Sequence, residues 1–182
     1  MERMRIVLCW CLLLTVCAAA LGVDWASYES AEGQFAVNVP GKPEIVVEHN
    51  QTPLGQVDEH TCRWRSGPVE WVVEYSDLPD AALSLNGSIL FVQVRRGFQH
   101  TTGQPVKNET VWKFGSNPGR TFEFYFAAGS AAPTRSGIAR ATLVDHRLYV
   151  LTVTWDKPAI PVPADEASRF FDSFRLNHAL NT

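Results

Sequence analysis

Arg147-Leu148-Tyr149-Val150-Leu151-Thr152-Val153-Thr154-Trp155 and, after a proline-bearing link, Ala164-Asp165-Glu166-Ala167-Ser168-Arg169-Phe170-Phe171-Asp172-Ser173-Phe174 decide the fold. The first stretch alternates as a strand. Tyr149, Leu151, Val153 and Trp155 share one face, and Leu148, Val150, Thr152 and Thr154 share the other. With little polar character on either side, it belongs inside a sheet covered on both faces. In the second stretch Ala167, Phe170, Phe171 and Phe174 recur at i, i+3, i+4 and i+7, one stripe of a helix. A helix with an aromatic stripe therefore lies against a buried central strand.

Upstream, the chain reads as strands separated by turn signals. Residues 25–30 form a first strand. Residues 34–39 form a second, with Phe35, Val37 and Val39 inward and Gln34 and Asn38 outward. Pro40-Gly41-Lys42-Pro43 stops it, because proline cannot donate to a ladder. Residues 44–51, 57–65 and 70–76 continue an antiparallel meander. His60, Cys62 and Trp64 share one strand face, as do Trp71, Val73 and Tyr75. Residues 88–98 read as a helix, because Phe91, Val94 and Phe98 align on one side while Arg95 and Arg96 fall off it. Residues 106–114, 121–126, 136–145 and 147–155 complete the strands, with a turn expected at Asn117-Pro118-Gly119-Arg120. Residues 127–134 are a small-residue loop. Pro163 opens the last helix, Asp165 and Glu166 favour the positive end of its dipole, and Arg175 sits at the negative end.

The chain has 182 residues and a formal net charge of −3. Arg3, Arg5, an apolar run over residues 6–16 and the small residues Ala18-Ala19-Ala20 and Ala20-Leu21-Gly22 form a signal peptide over residues 1–22. The alternative is an uncleaved N-terminal anchor, since residues 6–23 reach the lower limit of a spanning helix. Leu14-Thr15-Val16-Cys17 is similar to a lipobox, but Val16 is too bulky for its place. Residues 23–182 then form one α+β domain, large enough to hold a core without metal or disulfide. Its acidic balance gives no reason to bind nucleic acid or an anionic membrane. Contact with a membrane would come only through an uncleaved N-terminal segment. Cys9, Cys11 and Cys17 lie in the leader, so Cys62 has no disulfide partner in the mature chain and reads as a small buried hydrophobe.

Three local sequences carry a family resemblance. They are Glu32-Gly33-Gln34-Phe35-Ala36-Val37-Asn38-Val39-Pro40-Gly41-Lys42-Pro43, then Pro118-Gly119-Arg120, and at the end Arg147-Leu148-Tyr149-Val150-Leu151 with Phe170-Phe171-Asp172-Ser173-Phe174-Arg175-Leu176. Over about residues 24–176 the chain resembles the PsbP-like group of small exported bacterial proteins. The resemblance implies a PsbP-like α/β/α sandwich: a single antiparallel sheet of about nine strands flanked by two helices. Members of this fold serve as extrinsic photosystem subunits, as partners of a small GTPase and as envelope lipoproteins, and most are accessory rather than catalytic. The matching residues are turn and core positions. They speak to fold and carry over no functional residue.

The usual chemical motifs are missing: there is no G-x-S-x-G, H-E-x-x-H, G-x-G-x-x-G or P-loop sequence. His60 and Cys62 could donate two metal ligands, but zinc needs three or four. Asp145-His146 reads as a hairpin tip rather than part of a triad. Glu74, Asp77 and Asp80 lack the EF-hand pattern and suit a solvated loop. No catalytic residue, metal or cofactor is therefore assigned. Trp64 and Trp112, with Arg95 and Arg96, are the interaction-surface candidates, because tryptophan and arginine dominate partner hot spots. The expected protein is an exported, non-enzymatic accessory or binding protein of the envelope or periplasm, acting through contacts with a protein partner. Two alternatives stay open. One is a small-ligand or glycan binder using exposed tryptophans, and the other is a hydrolase or lyase whose site gathers His60 or His146 with a carboxylate.

Overall fold

The computed structural model describes residues 24–52, 55–84, 87–126, 135–156 and 164–177. The expected leader at residues 1–22, the expected loop at 127–134 and Pro163 as the expected first helical residue lie outside the described residues. In chain order the elements are β1 (Trp25–Ser30), β2 (Phe35–Pro40), β3 (Glu44–Thr52), β4 (Gly55–Ser66), β5 (Val69–Asp77), α1 (Asp80–Leu83), α2 (Gly87–Thr102), β6 (Asn108–Phe114), β7 (Asn117–Phe126), β8 (Arg135–Val144), β9 (Arg147–Asp156), α3 (Ala164–Ser173) and β10 (Arg175–Leu176).

The strands divide into two antiparallel sheets, not the single sheet of about nine strands that the sequence suggested. A three-stranded sheet runs β1-β2-β10, and a seven-stranded sheet runs β3-β4-β5-β9-β8-β7-β6. The reason lies at the second edge of β2. Arg175 and Leu176 pair there with Ala36 and Phe35, and the Asn177 amide donates to the Gln34 carbonyl. That edge is closed to β3, so the segment from Pro40 to Pro43 crosses to the far edge of the larger sheet, turning through Gly41 at φ 74°.

β9 lies in the middle of the large sheet, between β5 and β8. One face of that sheet packs on the small sheet and α3. Phe35, Val37, Trp64, Trp71, Leu151 and Phe170 are buried there. The other face packs on α2 through Phe91, Phe122, Phe124 and Val150. The layers are thus α2, the seven-stranded sheet, and a third layer shared by α3 and the small sheet. Ala167, Phe170 and Phe171 are buried along α3 as their spacing predicts, and Phe174 is buried just past the helix end rather than within it.

Two local readings need correction. α2 runs past Phe98 to Thr102 and closes on Gly103, at φ 67° with its amide on the Gln99 carbonyl, a left-handed cap. The expected turn at Asn117-Pro118-Gly119-Arg120 is strand instead, and the chain reverses three residues earlier, at Gly115 (φ 58°) and Ser116. Gly119 is glycine for space. A Cβ there would lie 2.7 Å from both the Ala141 carbonyl oxygen and the Trp112 ring.

Candidate functional site

α2 covers only part of its face of the sheet. Phe98 stacks on Phe124 with ring centroids 4.7 Å apart, which holds the helix over β7 and leaves the faces of β4 and β5 uncovered. Between helix and open sheet runs a groove of about 360 Å³, within the usual size range of ligand pockets. Its apolar wall is Val94, Phe98 and Phe126. Its floor is Val72, Val150, Thr152 and Thr154, and its polar wall carries Glu59, Arg63, Glu70 and Glu74. Gly97 faces the groove with nothing within 4 Å of where a Cβ would stand.

Strand alternation places these groups. Trp71, Val73 and Tyr75 point into the first core, so Glu70, Val72 and Glu74 point to the groove. Across the ladder Glu70 opposes Thr154, and Val72 opposes Thr152. Thr152 is 8% exposed and Thr154 4%, and neither hydroxyl has a hydrogen-bond partner. Leaving a buried hydroxyl unpaired costs about 1–3 kcal/mol.

The carboxylates differ in their surroundings. Glu70 is neutralised, with the Arg65 Nε 2.6 Å and the Arg135 Nη2 3.3 Å from its oxygens. Arg63 reaches Glu44 at 3.9 Å and Glu70 at 3.8 Å. Among the described residues no cation lies within ion-pair distance of Glu59 or Glu74. Burial, with the charge of Glu59 adding to it, pushes Glu74 up to about 7. Burial and Glu48 raise Glu59 as well, although the Asn50 amide donates to it at 3.2 Å.

The surface candidates fare unequally. Trp64 is 1% exposed, under the edge of Tyr28 at 5.1 Å and opposite Trp71 on β5, so it is core and offers no surface. Trp112 is half-buried beneath the Arg140 guanidinium, 5.3 Å from its ring. Trp25 is likewise capped by Arg169 at 4.8 Å. Among the described residues Trp64 and Trp71 are buried, and Trp25, Trp112 and Trp155 are half-buried. Arg95 is drawn to Glu109 on β6 at 3.4 Å. Arg96 stands exposed on α2. Phe98 turns inward, away from both arginines, as the helical spacing predicts.

The remaining sequence candidates separate, except that the His146 Nε2 lies 3.5 Å from an Asp77 oxygen. Glu74 and Asp77 lie on opposite faces of β5 rather than together in a solvated loop. Cys62 is buried 3.9 Å from the Tyr28 hydroxyl, and burial raises its thiol. Asp145 sits at φ 54° in the tight β8–β9 loop, and both it and His146 are exposed. A second, polar hollow does bring His60 together with Gln56, Asp58, Tyr75 and Asp77. There the His60 ring stacks on Tyr75 at 4.7 Å and its Nδ1 is 3.5 Å from Glu32. Asp77 accepts from Arg147 Nε at 2.6 Å and Nη2 at 2.7 Å. That fork holds its carboxyl below the usual range and occupies both oxygens. Among the described residues no group of three or more His, Cys, Asp or Glu is placed to hold a metal.

The groove was missed because its members lie on β4, β5, β7, β9 and α2, far apart in sequence. The one available signal was the mixed face of β5 and β9, where Glu70, Glu74, Thr152 and Thr154 share a side with Val72 and Val150.

No protein-family model matches the chain, and no curated protein does. Among solved structures it is similar to the solution structure of cyanobacterial PsbP (CyanoP) from Synechocystis sp. PCC 6803. The TM-score is 0.61 over 90% of this chain and 98% of that one, at 13% identity. Identity this low shows the fold alone, and the fold is PsbP-like. Among the described residues no helix is long and apolar enough to cross a membrane.

Proposed function

We propose that this chain is an exported, non-enzymatic accessory protein of the cell envelope that works by holding a partner protein in the groove beside α2. The export half of the reading rests on the leader-like residues 1–22. The binding half rests on one observation: an open groove with an apolar wall, a charged wall and buried hydroxyls that lack a partner. Interfaces that combine a desolvated apolar centre with a polar rim are the ones that bind specifically.

Gly97→Leu tests it. The added side chain enters open space on the groove side, so it fills the groove and leaves the core intact. Affinity capture from envelope extract should lose its partner with Gly97→Leu and keep it with Arg96→Ala on the exposed side of α2. Capture lost only with Arg96→Ala would move the interface off the groove.

One observation favours a second reading, a hydrolase or lyase with a non-local site: the hollow that sets His60 beside Asp58 and Asp77. Turnover of an ester, peptide or glycoside that vanishes in His60→Ala would establish it and overturn the non-enzymatic reading.

A further inference from the structure

We infer that the groove recognises a primary ammonium on an apolar chain, a lysine of the partner, with Glu74 and Glu59 as its counter-charges. This rests on the groove being the binding site. Three independent features of the groove converge on it.

The first is charge. Glu48 and Glu59 stand directly opposite each other on β3 and β4, a like-charge pairing that weakens a sheet. Glu74 adds a third carboxylate, one strand further in. Glu70 has its arginines, whereas Glu59 and Glu74 have none within 4 Å among the described residues. The groups facing Glu74 are Glu59 and Arg63 from β4, Glu48 from β3 and Glu70 on its own strand. β9 presents Val150, Thr152 and Thr154, and α2 presents Val94, Gly97, Phe98, Thr101 and Thr102, none of them charged. The local sum is negative.

The second is hydrogen bonding. Thr152 and Thr154 are more than nine-tenths buried with unpartnered hydroxyls in the groove lining. An ammonium carries three donors and no acceptor, which suits two carboxylates and a hydroxyl. The third is the apolar wall of Val94, Phe98 and Phe126 opposite the carboxylates. It gives the methylene stem of a lysine a surface to lie on while its head reaches Glu74. Binding a cation holds Glu74 ionised, so affinity rises with pH through the range where Glu74 titrates.

The test is an amide-resolved NMR titration of the purified protein with hexylammonium, with 1-hexanol as its neutral match, and with a capped Phe-Lys dipeptide. Hexylammonium should shift the Gly97, Thr101 and Thr152 amides and bind about tenfold more tightly than 1-hexanol at pH 8, as expected for a charge-assisted contact. It should weaken severalfold at pH 6. Glu74→Gln should cut both the preference and the pH dependence to the smaller share that Glu59 supplies. The dipeptide should bind at least as tightly as hexylammonium, and weaker binding would overturn lysine as the occupant. Equal binding of amine and alcohol would reject the cation and leave the groove as a site. No shift from any probe, with partner capture still lost in Gly97→Leu, would reject the ammonium alone. No shift with capture retained would reject the groove as well.

Discussion

Glycine performs opposite tasks at residues 97 and 119. At Gly119 the missing side chain is required, because a Cβ meets a backbone carbonyl at 2.7 Å on one side and Trp112 on the other. Gly119→Ala should therefore destabilise by about 1–3 kcal/mol, the usual cost of overpacking, read as a lower urea midpoint at unchanged slope. At Gly97 nothing approaches the missing Cβ. Gly97→Ala should gain up to about 1 kcal/mol from helix propensity, visible as a raised Tm, and an unchanged or lower Tm would mean that the helix is distorted there. From sequence the two looked reversed. Pro118-Gly119 carries a turn signature, and Gly97 looks like a helix breaker. Turn chemistry is local, whereas the contact that demands Gly119 comes from β6 and β8 and depends on register.

The last helix was legible because its whole signal is internal. Ala167, Phe170, Phe171 and Phe174 share a stripe whatever they pack on. What that stripe touches was not legible. Phe174, one residue past the end of α3, lies 5.6 Å from Phe35, 5.4 Å from Phe114 and 5.5 Å from Tyr149, so one ring ties the end of the helix to β2, β6 and β9. Phe174→Ala should cost about 3–5 kcal/mol. Tyr149 adds a polar tie, its hydroxyl donating to the Gly33 carbonyl at 2.8 Å. Tyr149→Phe keeps the ring and leaves a buried carbonyl unpaired, which should cost about 1–3 kcal/mol. A loss near that of Phe174→Ala would show that the hydrogen bond, rather than packing, sets how the small sheet docks. The split into two sheets was hidden for a related reason. Pro40-Gly41-Lys42-Pro43 reads the same for a hairpin as for a crossover, and only β10, at the far end of the chain, closes the edge that decides between them.

Over the whole molecule, Asp77 and Glu74 make stability depend on pH in opposite directions. They sit on opposite faces of β5. Arg147 lowers Asp77 from its ordinary 3.8, so the folded state binds its proton less readily than the unfolded chain. Its contribution is present above the ordinary value and is lost as pH falls through the folded one. Glu74 is raised from 4.5 to about 7. Its contribution is complete below 4.5 and is lost as pH rises through about 7. Thermal unfolding of the protein, Glu74→Gln and Asp77→Asn between pH 3 and 9 separates the two. Glutamine imitates the protonated carboxyl, so the gap in Tm between Glu74→Gln and the parent should grow in favour of the variant from pH 5 to pH 8. Glu59 is raised in the same sense, so part of the parent's fall should persist in Glu74→Gln. The parent should exceed Asp77→Asn at neutral pH, with the gap closing toward pH 3. An amine that binds the groove should reverse the first trend, raising the Tm of the parent at pH 8 more than at pH 5 and moving Glu74→Gln much less. A parent whose Tm does not depend on pH between 5 and 8 would mean that Glu74 is already paired or hydrated in the folded state, and the electrostatic case for the groove would fall with it.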